Sequence, residues 1–277
     1  MFMEKYLIAA AIVLSVLLFF FLIFLFLIKP CGKRKNEMQK FTKYKYAHRG
    51  LHDATRAENS LSAFKAAVDA GYAIELDVRL SSDGILVVFH DDTLDRVTAE
   101  KGRVDERSAE ELGKINLMET SDTVPTFREV LELIDGRVPL LVEIKEDAMK
   151  YCVTEKTIEM LRGYKGDFIV ESFNPLALSL FKKEMPEVLR GVLSQNFLNQ
   201  EKYRKPMYFL LQNLLLNVTC RPDFIAFNHI DYKNAALRLT RGLFRTTSVA
   251  WTIKNEEEEK LAYKHGFSTV IFEEYEA

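Results

Sequence analysis

Acidic and basic side chains recur two residues apart in two apolar segments of this chain. Glu75 and Asp77 interrupt "AIELDV", and Glu143 and Lys145 interrupt "LVEIK". In a β-strand, residues i and i+2 point to the same face, and their Cα atoms lie about 6.6–6.8 Å apart. The carboxylates of Glu75 and Asp77 are therefore close enough to share one cation.

The residue types around these segments indicate which cation that would be. Carboxylates without a thiolate or an HxxxH pair favour a hard cation, Mg²⁺ or Ca²⁺, over zinc. The predicted metal ligands are Glu75, Asp77 and Glu143. Arg49 and Lys145 could neutralise a phosphate, Arg49 by its bidentate fork and Lys145 as a point charge.

Two histidines end apolar segments, His48 in "YAHRG" and His90 in "ILVVFHD". Imidazoles titrate near neutral pH, so these two are the candidates for a general acid and a general base. A single histidine at a strand end is more often structural, and a lone Glu-x-Asp pair can simply bind arginines. Convergence of seven such groups favours function, because buried unpaired charges would each cost several kcal/mol.

Glu58 and Asn59 stand just before an amphipathic segment. Either they lie near the site, or Glu58 favours the N-terminus of the following helix and Asn59 or Ser60 caps it.

The elements that must position these residues alternate between strand-like and helical patterns. Leu61, Phe64, Ala67 and Val68 recur at helical spacing, for example. Strands are predicted at 46–47, 74–78, 140–144, 168–170, 191–193, 224–227, 248–252 and 269–272. Eight strands alternating with helices indicate a parallel (β/α)8 barrel, an α/β fold in which functional residues gather at the C-terminal ends of the strands.

One additional strand follows the second barrel strand after only "SSDG". A parallel crossover needs about a dozen residues or more, so the two strands must form an antiparallel hairpin with its turn at Asp83 and Gly84. This hairpin would place His90 opposite Asp77, with an uncertainty of about one residue in the pairing. Residues 79–123 are predicted to be a small insertion, followed by a barrel helix at 126–134.

The N-terminus predicts a single transmembrane helix. Residues 6–28 carry no charge and would extend about 34 Å as a helix, enough to cross a bilayer of about 30 Å. A cleaved signal peptide is the competing interpretation, but its apolar region usually has only about 7–15 residues. Lys29, Lys33, Arg34 and Lys35 follow the span, so the positive-inside rule places the rest of the chain in the cytoplasm.

We expect residues 29–43 to be a linker and residues 44–277 to form the barrel domain. The net charge of −2 over 277 residues gives no indication of a nucleic-acid partner. The sequence indicates no particular oligomeric state.

Seven motifs occur here in the order that is typical of the glycerophosphodiester phosphodiesterase family, which this chain resembles. They are "HRG" at 48–50, "EN" at 58–59, "ELDV" at 75–78, "VVFHD" at 87–91, "EIK" at 143–145, "SF" at 172–173 and "WTI" at 251–253. The resemblance implies a metal-dependent (β/α)8 barrel with a small insertion. It also implies that Glu75, Asp77 and Glu143 bind the metal, that His48 and His90 are acid and base, and that Arg49, Lys145 and Trp251 contact the substrate.

The chemistry implied by the resemblance is hydrolysis of a glycerophosphodiester to glycerol 3-phosphate and an alcohol, through attack of the glycerol 2-hydroxyl and a cyclic phosphate. A lysophospholipase D-like activity and a catalytically silent binding module are the alternatives. The chain departs from the family pattern at 271–273, where "IFE" replaces "ITD". Residues 205–220 are unusually apolar; as one helix they would have a polar stripe at Asn213 and Asn217, and would either be buried or lie on the bilayer.

Overall fold

The computed structural model describes residues 2–146 and 151–277. Within these ranges the strands are β1 Tyr46–His48, β2 Ala73–Leu80, β3 Leu86–Val88, β4 Leu140–Ile144, β5 Phe168–Ser172, β6 Arg190–Ser194, β7 Phe224–Asn228, β8 Thr247–Ile253 and β9 Thr269–Phe272. All strands except β3 pair in parallel in the order β1-β9-β8-β7-β6-β5-β4-β2, and β1 also pairs with β2. The predicted (β/α)8 barrel is confirmed.

The helices are α1 Phe2–Ile28, α2 Lys35–Met38, α3 Leu61–Ala70, α4 Ala109–Leu112, α5 Phe127–Ile134, α6 Cys152–Leu161, α7 Pro175–Glu184, α8 Pro206–Gln212, α9 Asn217–Cys220, α10 Ala235–Gly242 and α11 Glu256–Lys264. Their ends follow local chemistry. The Ser60 hydroxyl caps α3 by accepting from the Ala63 amide, and Thr126 forms a capping box with Glu129 at the start of α5.

The hairpin lies where the sequence predicted it. β3 pairs antiparallel with β2, Val88 opposite Val78, and the Phe89 amide donates to the Asp77 carbonyl at 3.0 Å. His90 is thus one residue beyond the position opposite Asp77. The insertion that follows has an apolar core of its own, which includes Val87, Phe89 and Leu94.

The barrel interior changes from apolar to charged along the strands. Tyr46, Ala73, Leu141 and Ile169 form part of a buried apolar cluster at the start of their strands. Because side chains alternate between the two faces of a strand, the residues two positions further along point to the same interior. Those residues are His48, Glu75, Glu143 and Glu171.

The N-terminal end of the barrel is closed by the segment predicted to be a linker. Met38 and Phe41 belong to the interior cluster, and the Tyr46 hydroxyl donates to the Phe41 carbonyl at 3.0 Å. Arg34 donates to the Pro186 carbonyl at 2.8 Å, on the loop before β6. The boundary at residue 43 stays a prediction, but residues 34–41 pack against the barrel.

The prediction of one helix over residues 205–220 is wrong. α8 and α9 are separated by a break at Leu214, whose φ is 56° and whose side chain is buried. The break turns Leu214 into the core. Asn217 is not part of an exposed stripe, since it is buried and its side-chain amide donates to the Ile28 carbonyl at 3.1 Å.

The end of α1 packs against the outside of the barrel beside α9. Ile28 is fully buried, and the Arg221 guanidinium donates to the carbonyls of Phe26 and Lys29 at 2.8 Å each. Residues 3–28 are long and apolar enough to cross a membrane, as a span or as a signal sequence.

Replacement of Phe41 by Ala should lower the free energy of unfolding by about 3–5 kcal/mol, the usual cost of emptying a buried aromatic site. Urea titration of the full chain in detergent micelles measures this change. Tyr44→Ala is the matched control, because Tyr44 is 39% exposed, and it should cost far less. Equal losses in the two variants would show that Phe41 does not close the barrel.

Candidate active site

Three carboxylates meet at the C-terminal end of the barrel. Each of Glu75, Asp77 and Glu143 offers an oxygen, and these oxygens lie within 4.8 Å of one another. Strand register produces the cluster, because Asp77 is paired with Glu143 across β2 and β4. All three side chains are buried.

Two cations lie against this cluster. Lys145 Nζ is 2.6 Å from Glu143 Oε1 and 3.0 Å from Asp77 Oδ1, and Arg49 Nε is 3.4 Å from Asp77 Oδ2. The Arg49 amide also donates to Glu75 Oε2 at 3.0 Å. Of the three acids, Asp77 is therefore the one that lies near both cationic side chains.

The pKa values of the three acids separate accordingly. Burial works against the charged form of Asp77, but Lys145 and Arg49 hold its pKa well below the usual range. Burial and the negative charge of Asp77 raise the pKa of Glu75 well above its usual value. Burial also raises the pKa of Glu143, although Lys145 opposes this effect. With all three acids ionised, the cluster would have more negative charge than Arg49 and Lys145 neutralise.

Glu171, which the sequence analysis missed, is a fourth buried carboxylate beside this cluster. It is paired with Glu143 across β4 and β5, is 1% exposed, and its Oε2 atom has no hydrogen-bond partner. Burial, together with the charge of Glu143, raises its pKa well above the usual value. The predicted strand ended at residue 170, and only the pairing of β5 with β4 places Glu171 beside the site.

The residues fit a divalent cation. All the oxygens are carboxylate oxygens, the set that Mg²⁺ and Ca²⁺ prefer. Asp77 Oδ1 accepts no well-aligned hydrogen bond even though Lys145 Nζ is near it. A bound cation would satisfy this buried oxygen and offset the excess negative charge.

His48 is held by Glu273, another residue that the sequence analysis did not assign. His48 Nδ1 and Glu273 Oε2 are 2.5 Å apart, and His48 Nε2 lies 4.0 Å from Glu75 Oε2. Burial lowers the pKa of His48 to about 4, although Glu273 opposes that effect. A carboxylate can only accept here, so Nδ1 has the proton and Nε2 of the neutral ring faces the carboxylates. The acid at the end of "IFE", where the family has the aspartate of "ITD", is thus the carboxylate that orients His48.

His90 stands at the other side of the site, at the end of the hairpin. Its Nδ1 atom is 2.7 Å from Asp91 Oδ1, and the Arg79 guanidinium donates to its backbone carbonyl at 2.9 Å. The His90 side chain is 31% exposed against 16% for His48. His90 is therefore the histidine with the more open path to solvent.

Glu58 and Asn59 contact charged residues of the site, so the role of Glu58 is not to stabilise the N-terminus of α3. Glu58 lies between two guanidiniums, with contacts of 2.7 Å to both Arg49 and Arg96. Burial works against its charge, but Arg96 and Arg49 lower its pKa to about 2. The Asn59 amide donates to Asp77 Oδ2 at 2.9 Å.

The turn that presents Arg49 requires a glycine at the next position. Gly50 has a φ of 84°, and a Cβ there would lie 2.9 Å from the backbone carbon of Ala63. Only glycine allows the turn to approach α3 this closely.

Trp251 forms an aromatic wall at the end of β8. Its ring packs edge to face with Phe173 at a centroid distance of 5.7 Å. Its indole Nε1 is buried and donates to no protein atom among the described residues.

Residues 48–277 match the glycerophosphoryl diester phosphodiesterase family. The chain belongs to this family. Its members are phosphoric diester hydrolases, and curated relatives bear the corresponding name. The glycerophosphodiester phosphodiesterase of Caldanaerobacter subterraneus is 38% identical over 160 residues, which cover 54% of this chain and 65% of that protein. Glycerophosphodiester phosphodiesterase 1 of Bos taurus is 34% identical, over 81% of this chain and 76% of that one.

Solved structures of the family share the barrel. An Oleispira antarctica phosphodiesterase in complex with the product sn-glycerol-3-phosphate superimposes with a TM-score of 0.69 at 24% identity, over 86% of this chain and 95% of that one. The Thermotoga maritima glycerophosphodiester phosphodiesterase gives a TM-score of 0.63 at 25% identity, over 83% of this chain and 94% of that one.

Replacement of Glu171 by Gln should stabilise the metal-free protein at neutral pH. A raised folded-state pKa means that stability is fully present below the unfolded pKa, about 4.3, and is lost as pH rises toward the folded pKa. The Gln variant avoids this loss, so its advantage over the wild type should grow from about pH 4 to pH 8 and reach about 1–3 kcal/mol.

Thermal unfolding of the full chain in EDTA, measured across that pH range, tests this expectation. Glu132→Gln is the control, since Glu132 is exposed. A pH-independent difference between Glu171→Gln and the wild type would contradict it.

Proposed function

We propose that this chain hydrolyses glycerophosphodiesters to glycerol 3-phosphate and an alcohol with the help of one divalent cation. The observation that supports this most directly is the convergence of three carboxylates, two histidines and the cationic side chains of Arg49 and Lys145 at one end of the barrel. Neither a silent binding module nor a structural role requires that combination.

Glu75, Asp77 and Glu143 would hold the cation, either Mg²⁺ or Ca²⁺. When bound, it would polarise a phosphoryl oxygen and lower the pKa of the glycerol 2-hydroxyl. The three carboxylates also keep this end of the barrel negative, so Arg49 and Lys145 are needed to admit a phosphate. Trp251 would donate its free N–H to the glycerol moiety.

His48 acts as the general base in this proposal. It is neutral at pH 7, and Glu273 fixes the proton on Nδ1, so the bare Nε2 can accept the proton of the attacking hydroxyl. As His48 becomes positively charged, the adjacent Glu273 carboxylate stabilises the charge. Glu273 is thus a positioning residue.

His90 acts as the general acid and gives a proton to the leaving alcohol. It is the more exposed of the two histidines, which suits a group that must let a variable alcohol depart. A cyclic phosphate remains on the glycerol and is opened by water, with the two histidines in reversed roles.

The chain is proposed to be a single-pass membrane protein whose span is residues 6–28 and whose barrel, residues 44–277, lies in the cytoplasm. The contacts of Asn217 and Arg221 with the end of α1 favour a retained anchor over a cleaved signal sequence. A reporter fused after Ala277 should behave as cytoplasmic. Digestion of the barrel by protease added outside intact cells would reverse this orientation.

The proposed activity is tested with the full chain in lipid nanodiscs, stripped with EDTA and given glycerophosphocholine. Release of glycerol 3-phosphate and choline should require added Mg²⁺ or Ca²⁺. Glu75→Ala and Asp77→Ala should abolish it at limiting metal, whereas Glu132→Ala should not. Full turnover in EDTA, or near-normal turnover in both site variants, would overturn the metal assignment.

Loss of the Glu273 carboxylate should impair catalysis through His48. In Glu273→Gln we expect kcat to fall about 10- to 100-fold, the scale for loss of a group that orients a catalytic imidazole. The imidazolium also loses its stabilising charge, so the acidic limb of the kcat/KM profile should move to lower pH.

Glu274→Gln is the matched control, because Glu274 shares Lys254 with Glu273 and is exposed. It should leave both kcat and the pH profile unchanged. An unshifted acidic limb in Glu273→Gln would show that Glu273 does not act through His48.

A further inference from the structure

Arg96 belongs to the insertion, and its side chain contacts two acids that come from different parts of the chain. Its Nη1 and Nη2 atoms donate to the two carboxylate oxygens of Glu58 at 2.8 and 2.7 Å. Its Nε atom donates to Asp91 Oδ2 at 2.5 Å. All three guanidinium nitrogens are therefore engaged. The two-pronged contact with Glu58 is the strong, directional kind that fixes the plane of a guanidinium.

Each of these two acids has a second partner in the site. Glu58 also accepts from Arg49 at 2.7 Å, and Asp91 Oδ1 lies 2.7 Å from His90 Nδ1. Arg96 thus completes a row of groups in which cationic and anionic side chains alternate. The row runs from the proposed phosphate-binding arginine to the proposed general acid.

Both acids in this row are ionised. Burial works against the charge of Asp91, but His90 and Arg96 hold its pKa well below the usual range. Burial also works against the charge of Glu58, and Arg96 and Arg49 together lower its pKa to about 2. In return, Glu58 and Asp91 raise the pKa of Arg96. The contacts in the row are therefore charge-assisted at neutral pH.

The apolar core of the insertion holds the arginine at this place. Leu94 and Val97, which are close to it on either side in sequence, are buried in that core. The core also includes the residues directly before Glu58 and directly before His90, namely Ala57 and Phe89. One packed cluster therefore sets the distances between the arginine, the acid that it binds and the end of the hairpin.

We propose that Arg96 is a positioning residue that couples the general acid to the phosphate-binding side of the site, and that the insertion serves to place it there. This inference rests on the proposed function and assigns a role in it to a residue outside the barrel. Through Asp91, Arg96 orients the ring of His90. Through Glu58, it orients the guanidinium of Arg49. Lysine could not replace it, because a single ammonium cannot form the fork with Glu58 and also contact Asp91.

The two branches of this row respond differently to the leaving group. Choline is a poor leaving group and needs a proton from the general acid, whereas p-nitrophenolate departs without one. The test therefore compares glycerophosphocholine with the p-nitrophenyl ester of glycerol 3-phosphate. Both are assayed with the full chain in nanodiscs and added Mg²⁺.

In Arg96→Ala, kcat for glycerophosphocholine should fall about 10- to 100-fold, the scale for loss of a group that orients a functional side chain. The fall with the p-nitrophenyl ester should be several times smaller, because only the branch through Arg49 matters there. Arg96→Lys should behave like Arg96→Ala. Added guanidinium ion should restore part of the activity of Arg96→Ala but not that of Arg96→Lys.

A double-mutant cycle tests the contact with Asp91. Asp91→Ala should lower kcat for glycerophosphocholine much less in the Arg96→Ala background than in the wild type, since the two residues act as one unit. Arg107→Ala is the matched control, because Arg107 is in the same insertion, is 38% exposed and lies 3.7 Å from Glu100. It should keep the wild-type kcat with both esters.

Equal losses with the two esters in Arg96→Ala, or no loss with either, would overturn the coupling and leave the phosphodiesterase activity in place. A lower melting temperature in Arg96→Ala than in Arg107→Ala, with no rescue by guanidinium, would also overturn it, since the role would then be structural. Absence of hydrolysis of both esters by the wild type would overturn the proposed function and this inference together.

Discussion

The site depends on negative charge that the barrel concentrates at its C-terminal end. The carboxylates of Glu75, Asp77, Glu143 and Glu171 point into the same interior, from three neighbouring strands. Desolvation of so many acids is unfavourable unless they are protonated or compensated. The raised pKa of Glu171 and the lowered pKa of Asp77 are the two responses to this constraint, and a bound cation would be a third.

The apolar end of the barrel provides the rigidity that this arrangement needs. Phe41 and Met38 fill the opposite opening, and the layer of Tyr46 and Leu141 lies between them and the acids. A slip of the strand register by one residue would turn both this apolar layer and the acids to the outside of the barrel. The segment that connects α1 to the barrel therefore holds in place the apolar layer beneath the acids as well as the end of α1.

Much of the fold and the site could be predicted, because the signals are local. The two-residue spacing of Glu75 and Asp77 predicted that both side chains lie on one face of a strand. Only four residues separate that strand from the next predicted one, so the two strands had to form the hairpin that carries His90. The structure brings the predicted residues together at one end of the barrel, while their individual roles stay proposals. Glu171 lacked a signal of its own, since an acid in "FIVES" becomes meaningful only once β5 is placed beside β4.

Other features depended on contacts between distant parts of the chain. Glu273 is next to His48 only because β9 closes the barrel against β1. Asn217 seemed to belong to a polar stripe, but its partner is the Ile28 carbonyl, 189 residues away. Periodicity within one segment carries no information on such partners, which is why the break at Leu214 was also missed.

The most direct measurement of the central claim is the stoichiometry of cation binding. The full chain, stripped of metal in nanodiscs, is titrated with Mn²⁺ as a spectroscopic substitute for Mg²⁺ or Ca²⁺, and free Mn²⁺ is followed by electron paramagnetic resonance. The account predicts one site per chain, competed by Mg²⁺ or Ca²⁺ and lost in Asp77→Asn but kept in the exposed control Glu132→Gln. Binding that is absent, or that survives unchanged in Asp77→Asn, would contradict it.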